Sequence, residues 1–425
     1  MTETAYRFGD FELYPSDRLL KRGDTPLSLQ PKAFDALLCL VRKAQHLVSK
    51  EELTRALWPA THVSEANLTN IIVSLRKLLG RETVRTVSKH GYRLELPVTG
   101  EPGIERAVYE RFVRARDLTS QRSLDHMQEA RELLWTCLAD DPGFAPAWAW
   151  LGRCCWFLDK FGRHSSGNTQ LAHSALQRAF TLAPDLAEAH QFFTVLQVDT
   201  GDAAHASDRL LGRLQRFPDE PESLAGLVQA FRFQGLLRSS LDAHKRAVEL
   251  DPTIATSVAH TLFAMGDYAA SIEAYAGRAA YYLDAASWAT LGLSDRALVL
   301  LRSRLQGSAL SELMNALLQS LAAVLEGQPE EAIRWMETAD TVREPEVLMY
   351  FARHYSYIDK ADLAFATLQK AFEAGFVCAP ETLKSDPWFA ALRRSSGMER
   401  FVEQMESRTK TAQKALEPYK SVLKV

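Results

Sequence analysis

The run Ser64-Glu-Ala-Asn-Leu-Thr-Asn-Ile-Ile-Val-Ser-Leu-Arg-Lys-Leu-Leu, residues 64 to 79, closed by Gly80, decides how the first part of this 425-residue chain is read. Leu68, Ile72, Leu75 and Leu79 recur at helical spacing. Ser64 stands where it caps the amino end, Glu65 falls in the favourable first turn, and Gly80 stops the helix. One face is therefore core. On another face Asn67, Asn70, Ser74 and Lys77 recur at steps of three and four. They are short amides, a hydroxyl and a cation, not the mixed Glu and Lys of a solvated helix. An Asn amide donates and accepts together on an adenine edge in the major groove, and Ser and Lys reach bases or phosphates. The face therefore predicts a helix laid into a DNA groove. A one-position rotation would hand the role of Asn70 to Thr69 or Val73, so these two join the candidate reading surface.

The flanking sequence supports this placement. Tyr6-Arg-Phe-Gly-Asp-Phe-Glu-Leu13 alternates, and Leu19-Leu-Lys21 and Thr25-Pro-Leu-Ser-Leu29 follow around the turn Arg22-Gly23-Asp24, predicting a small antiparallel sheet. Pro31 opens a helix with Phe34, Leu37, Leu38 and Val41 on one face. Ser49-Lys-Glu-Glu52 is a capping box that introduces a second helix, ended by Pro59. After the groove helix, Val84-Arg-Thr-Val87 and Tyr92-Arg-Leu-Glu-Leu96 alternate about the turn Ser88-Lys-His-Gly91. This is a hairpin wing carrying Lys89, His90 and Arg93 as candidate DNA contacts.

These residues carry a resemblance. Phe8-Gly-Asp-Phe11, Leu29-Gln-Pro-Lys-Ala-Phe34, Val48-Ser-Lys-Glu-Glu-Leu53, Trp58-Pro59, Leu75-Arg-Lys-Leu-Leu-Gly80 and Gly91-Tyr-Arg93 make residues 5–97 resemble the winged-helix output domain of OmpR/PhoB-type response regulators. The resemblance implies that the third helix enters the major groove and the wing touches the minor groove or backbone. It also implies that the loop from Pro59 to Val63 can face RNA polymerase. The outward helix face departs from the pattern, with Asn and Ser where relatives often carry Arg, so no operator is implied. No receiver domain precedes the module in this sequence, and phosphorylation control is not implied.

Charge divides in the same place. Residues 1–97 hold 15 Lys and Arg against 11 Asp and Glu, a balance of +4 that leaves −7 for the remainder of a chain whose net charge is −3. A basic head on an acidic body fits a polyanion-binding module joined to one that is not drawn to nucleic acid. No run of about 18 uncharged apolar residues appears. The start, Met1-Thr-Glu-Thr, shows no secretory signal, so a cytoplasmic protein with no membrane partner is expected. Five cysteines without a Cys-x-x-Cys pair argue against a disulfide framework and a zinc site.

Residues 98–104 are short, polar and turn-rich, and read as a linker. Beyond them the pattern is helical and repeats. Pro142, Pro184, Pro218 and Pro252 are separated by 42, 34 and 34 residues. A 34-residue period signals tetratricopeptide (TPR) repeats, and the surplus in the first interval is placed in the polar loop 162–169. Trp148-x-x-Leu151-Gly152 matches the opening of the repeat signature, and Gly201 and Gly235 lie one period apart. Degenerate repeats then extend to residue 375, followed by a cap at 376–406 and a frayed helical tail at 407–425. The whole resembles regulators that join this winged helix to a repeat array, the class that includes the HilA-like activators. The fold class expected is mainly α with a small α+β head, a winged helix-turn-helix domain at 1–97 followed by an α-solenoid of TPR-like pairs at 105–375.

Trp148, Trp150, Trp156 and Phe157 crowd one repeat, and packed aromatic knobs are favoured there over a ligand cage. Cys154 and Cys155 read as core thiols and His164, His173 and His190 lack metal-ligand spacing, so no metal and no cofactor are expected. No nucleotide loop, nucleophile motif or carboxylate pair stands out, so the protein is not expected to be an enzyme. The reading is a sequence-specific DNA-binding transcription regulator whose array offers an extended concave surface to a protein, a small molecule or a second copy of the chain. A TPR adaptor with vestigial DNA binding is the alternative, and it leaves the basic head unexplained.

Overall fold

The alternating amino end folds into a four-stranded antiparallel sheet, β1 (Tyr6–Phe8), β2 (Phe11–Tyr14), β3 (Leu19–Arg22) and β4 (Thr25–Leu27), paired in chain order. The computed structural model describes residues 5–15, 17–58, 65–87, 90–99, 106–119, 123–161, 167–275, 282–307, 310–338, 344–419 and 423. Three helices follow, α1 (Pro31–Arg42), α2 (Lys50–Leu57) and α3 (Glu65–Leu79), then β6 (Val84–Val87) and β7 (Gly91–Leu94). A two-residue strand β5 (Val48–Ser49), between α1 and α2, completes a second sheet in the order β5-β7-β6. Phe8, Leu13, Phe34, Leu37, Leu53, Leu68, Leu75, Val84 and Leu94 form one buried core. The wing is locked onto this core at Gly91, where a Cβ would lie 2.0 Å from the Val48 carbonyl oxygen.

Ser49 caps α2 as expected, its Oγ accepting from the Glu52 amide at 3.0 Å. The reciprocal half of the capping box is not made, because the Glu52 carboxylate pairs with Lys43 on α1's trailing loop. The start of the expected linker is also ordered otherwise. Thr99 exchanges two backbone bonds with Arg7, 2.8 and 2.9 Å, because β1 is an edge strand with unpaired amides and carbonyls. Ser64, the loop from Pro59 to Val63, Ser88, Lys89 and residues 100–105 lie outside the described residues.

Eight helix pairs follow among the described residues: α4 (Arg106–Thr119) with α5 (Leu124–Asp140), α6 (Ala145–Phe161) with α7 (Asn168–Leu182), α8 (Ala187–Asp199) with α9 (Ala203–Arg216), and α10 (Pro221–Phe233) with α11 (Leu237–Leu250). Shorter or less regular pairs continue as α12 (Val258–Ala264) with α13 (Tyr268–Glu273), α14 (Leu283–Thr290) with α15 (Ser294–Gly307), α16 (Glu312–Leu325) with α17 (Pro329–Thr338), and α18 (Pro345–Tyr357) with α19 (Ala361–Glu373). The period-marking prolines each sit just past the second helix of a pair, where a missing N–H is harmless. Small residues bring partners close, as at Gly152, where a Cβ would lie 2.6 Å from Leu176 Cγ. No described helix is long and apolar enough to cross a membrane.

Contacts divide the chain into two units, residues 1–159 with 165–192 and residues 160–164 with 193–425. In the first, the array begins inside the head's own packing. Tyr109 of α4 packs against the head core, and the Arg42 guanidinium lies 3.8 Å from its ring centroid. The crowded aromatics split up rather than converge: Trp148 meets Trp135 edge-on at 6.1 Å, and Trp150 meets Phe192 at 5.0 Å. Burial pushes the Cys154 and Cys155 thiols up to about 12 and about 11, as core thiols should be.

In the second unit side chains of distant helix pairs meet. Tyr350 of α18 lies tilted against Tyr282 at 4.9 Å and edge-on to Phe263 at 6.0 Å, and Glu346 accepts from Arg232 of α10 at 2.8 Å. Phe376 meets Phe233 edge-on at 5.0 Å, and a Cβ on Gly375 would sit 2.3 Å from Gly201 Cα. Residues of pairs four to six, Arg232, Phe263 and Tyr282, thus reach the first helix of the eighth. The described residues of the carboxyl end also pack onto the array. After α20 (Pro380–Ser385), α21 (Met398–Ala415) runs through the expected cap–tail boundary, and Leu416 and Leu423 are buried against Leu210, Leu211, Leu224 and Leu227. The stretch is helical to Ala415 as expected but is not frayed there, because Leu416 and Leu423, set in a polar, Lys-rich composition, anchor it.

Candidate nucleic-acid interface

Helix α3 buries Leu68, Ile71, Ile72, Leu75 and Leu79, which fixes its rotation about its axis. Ala66, Thr69, Asn70, Val73, Ser74 and Lys77 are exposed, whereas Asn67 is half-buried at the margin. The expected face is thus rotated. Ile71, one turn after Asn67, is core, and it draws Asn67 to the flank and brings Val73 to the middle of the outward stripe. Asn70, Ser74 and Lys77 remain outward, joined by Thr69 and Val73. Ser74 is only partly available, since its hydroxyl donates 3.1 Å back to the Asn70 carbonyl.

Arg76 is the residue the sequence reading passed over. Its guanidinium leaves the outward stripe, donating from Nε to the Val84 carbonyl at 2.8 Å and from Nη2 to Thr86 Oγ1 at 2.7 Å. The groove helix is thereby tied to the first wing strand. At the helix end the Gly80 amide bonds the Arg76 carbonyl at 3.0 Å, and Thr83 Oγ1 donates to the Leu79 carbonyl at 2.8 Å, closing the last turn.

The wing pairs Arg85 directly opposite Arg93. Like charges opposite one another in an antiparallel pair repel, and the chain relieves this on one side only. Arg93 donates from Nε and Nη2 to Glu95 Oε1 at 2.9 and 2.8 Å, while Arg85 is exposed. Arg85 is therefore the stronger candidate for a phosphate, and it was missed although it holds an outward position in the alternation Val84-Arg-Thr-Val87. His90 is exposed at the turn, with its backbone held by Val87 and Lys50. Lys89 lies outside the described residues.

A buried charge cluster sits on α1. Asp35 of α1 accepts from Arg18 at 2.6 Å and from Arg116 of α4 at 2.9 Å, and Arg18 also contacts Glu188 of α8 at 2.7 Å. Burial alone would raise the Asp35 carboxyl pKa, but the Arg18 and Arg116 guanidiniums outweigh it and hold the group below the usual carboxylate range. Burial likewise pushes the nearby Tyr109 phenol up to about 12. Because α1 packs against both α2 and α3, the cluster connects helix pairs of the array to the helices that present the reading surface. Among the described residues no set of three or more His, Cys, Asp or Glu is arranged to hold a metal ion.

Residues 24–94 match the family described as "Transcriptional regulatory protein, C terminal". The transcriptional regulator HilA of Salmonella typhimurium is 33% identical over 95 residues, 21% of this chain and 17% of that protein. The transcriptional activator CadC of Escherichia coli is 29% identical over 104 residues, 23% of this chain and 20% of that protein. The chain thus matches about a fifth of the length of each of these relatives. Among solved structures, the DNA-binding domain of E. coli CadC is 27% identical over 24% of this chain and 100% of that domain, with a TM-score of 0.22. The head of this chain, a three-helix module with a β-hairpin wing, is a domain of the transcriptional regulatory C-terminal family, joined to an array of TPR-like helix pairs.

Proposed function

We propose that the chain is a sequence-specific DNA-binding transcription regulator in which α3 reads the major groove and the β6–β7 wing contacts the minor groove or the backbone. The observation that carries this reading is the stripe of Thr69, Asn70, Val73, Ser74 and Lys77 on a helix whose opposite face is core, beside an exposed Arg85. The array receives the input: a protein, a small molecule or a second copy of the chain. Assembly suits a single groove helix, which reads too few bases for a genomic address. The loop from Pro59 to Val63 is the face offered to RNA polymerase. The protein acts in the cytoplasm by binding rather than by turnover, as its relatives' names as regulators support.

Fluorescence anisotropy of the full chain on duplexes recovered from genomic fragments, at several salt concentrations, tests this. Binding should weaken linearly in log salt, and Asn70→Ala should lose about 1–3 kcal/mol on the recovered site and little on random duplex. Absence of duplex binding at low salt would leave the adaptor reading in its place.

A further inference from the structure

The outward stripe of α3 also carries information about base preference, on the groove-reading assignment just made. Val73 is 43% exposed at the middle of the stripe, and Ala66 and Thr69 add methyl groups on the same side. Asn70 lies one helical turn from both Ala66 and Val73, so an amide is bracketed by methyls. The guanidinium that would read guanine bidentately is withheld, because Arg76 is held by Val84 and Thr86 of the wing. Lys77 is exposed in the last turn, where recognition helices of this kind contact the backbone rather than base edges. In the major groove an A·T pair presents adenine N6 and N7 beside the thymine C5-methyl. An amide flanked by methyl groups matches that pattern and not the acceptor pair of guanine.

We propose that α3 reads A·T pairs, with the Asn70 amide on an adenine edge and the Val73 methyls against a thymine C5-methyl. The two residues divide the work: Asn70 supplies paired hydrogen bonds and Val73 excludes water from the methyl contact.

The test uses the full chain and a duplex pool with a randomised core. After selection, each thymine of the recovered site is replaced in turn by deoxyuridine, which lacks only the C5-methyl. Recovered sites should contain A·T pairs in the core. At one position deoxyuridine should weaken the unsubstituted protein about fourfold, the effect of one buried methyl, and Val73→Ala should bind the two duplexes alike. Val73 is exposed and Ala is the better helix former, so the variant folds. Recovery of G·C pairs alone, or equal binding of thymine and deoxyuridine duplexes by the unsubstituted protein, overturns the base preference while DNA binding stands. Retention of no duplex at low salt overturns both readings.

Discussion

Asp35→Asn should destabilise the first unit more than any surface substitution, and the structure sets the size of the loss. The Asp35 side chain is 12% exposed and its carboxylate takes two charge-assisted bonds, from Arg18 at 2.6 Å and Arg116 at 2.9 Å. In the variant Arg18 keeps Glu188 at 2.7 Å and the Pro31 carbonyl at 2.7 Å, whereas Arg116 is left with two long contacts, the Ala56 carbonyl at 3.5 Å and Asp117 at 3.9 Å. Breaking a buried pair on one side costs roughly 3–5 kcal/mol, and the Asn oxygen recovers about 1 kcal/mol by keeping one bond. The expected loss is therefore about 2–4 kcal/mol, or roughly 5–15 °C in Tm for a unit of this size. Urea titration, with hydrogen exchange of α1 and α4 peptides to place the change, measures it. The pH dependence supplies a second arm. Because the folded Asp35 pKa is depressed, its stabilisation is present above the unfolded value of about 3.9 and is lost as pH falls through the folded one. The unsubstituted chain should lose stability below about pH 4 by a component that the variant lacks. A loss under about 1 kcal/mol with native exchange in α4, or identical acid profiles, would refute the cluster as the support of α1.

Three further outcomes follow from the same geometry. Arg85→Ala should weaken duplex binding across all sequences and lower the salt slope by about one unit, and Arg93→Ala should do less, since Glu95 already half-neutralises it; equal effects in anisotropy would contradict this. Gly91→Ala should destabilise the head by about 4 kcal/mol or more, because the Cβ would stand 2.0 Å from the Val48 carbonyl, and a head that melts normally by circular dichroism would show that the wing can shift. Burial, then the nearby Arg353 charge, pushes the His354 imidazole down to about 3. The folded state therefore refuses a proton that the unfolded chain takes below about 6.5, so stability should fall by about 1.4 kcal/mol per pH unit on acidification through that window. His354→Gln should remove this slope from the melting profile of the second unit.

The local code was legible wherever a side chain's job is set by its neighbours in sequence. Hydrophobic period placed α1, α2 and α3, Ser49 announced a cap, Gly80 a stop, and the 34-residue proline spacing announced helix pairs, because these signals come from propensity and periodicity along one element. The exposed Asn70 and Lys77 were legible for the same reason. Helix rotation was not, since Asn67 and Val73 trade places according to whether Ile71 is core, and only the packed head decides that. The tertiary structure alone decided that Arg76 braces the wing and that Arg85 faces Arg93. It alone joined Arg18, Asp35, Arg116 and Glu188, which are spread over 170 residues of sequence. It also closed the second unit through Tyr350, Phe376 and Leu416, whose partners lie in distant repeats. Such contacts depend on where distant elements meet in space, and a one-dimensional pattern carries the faces of helices but not their neighbours.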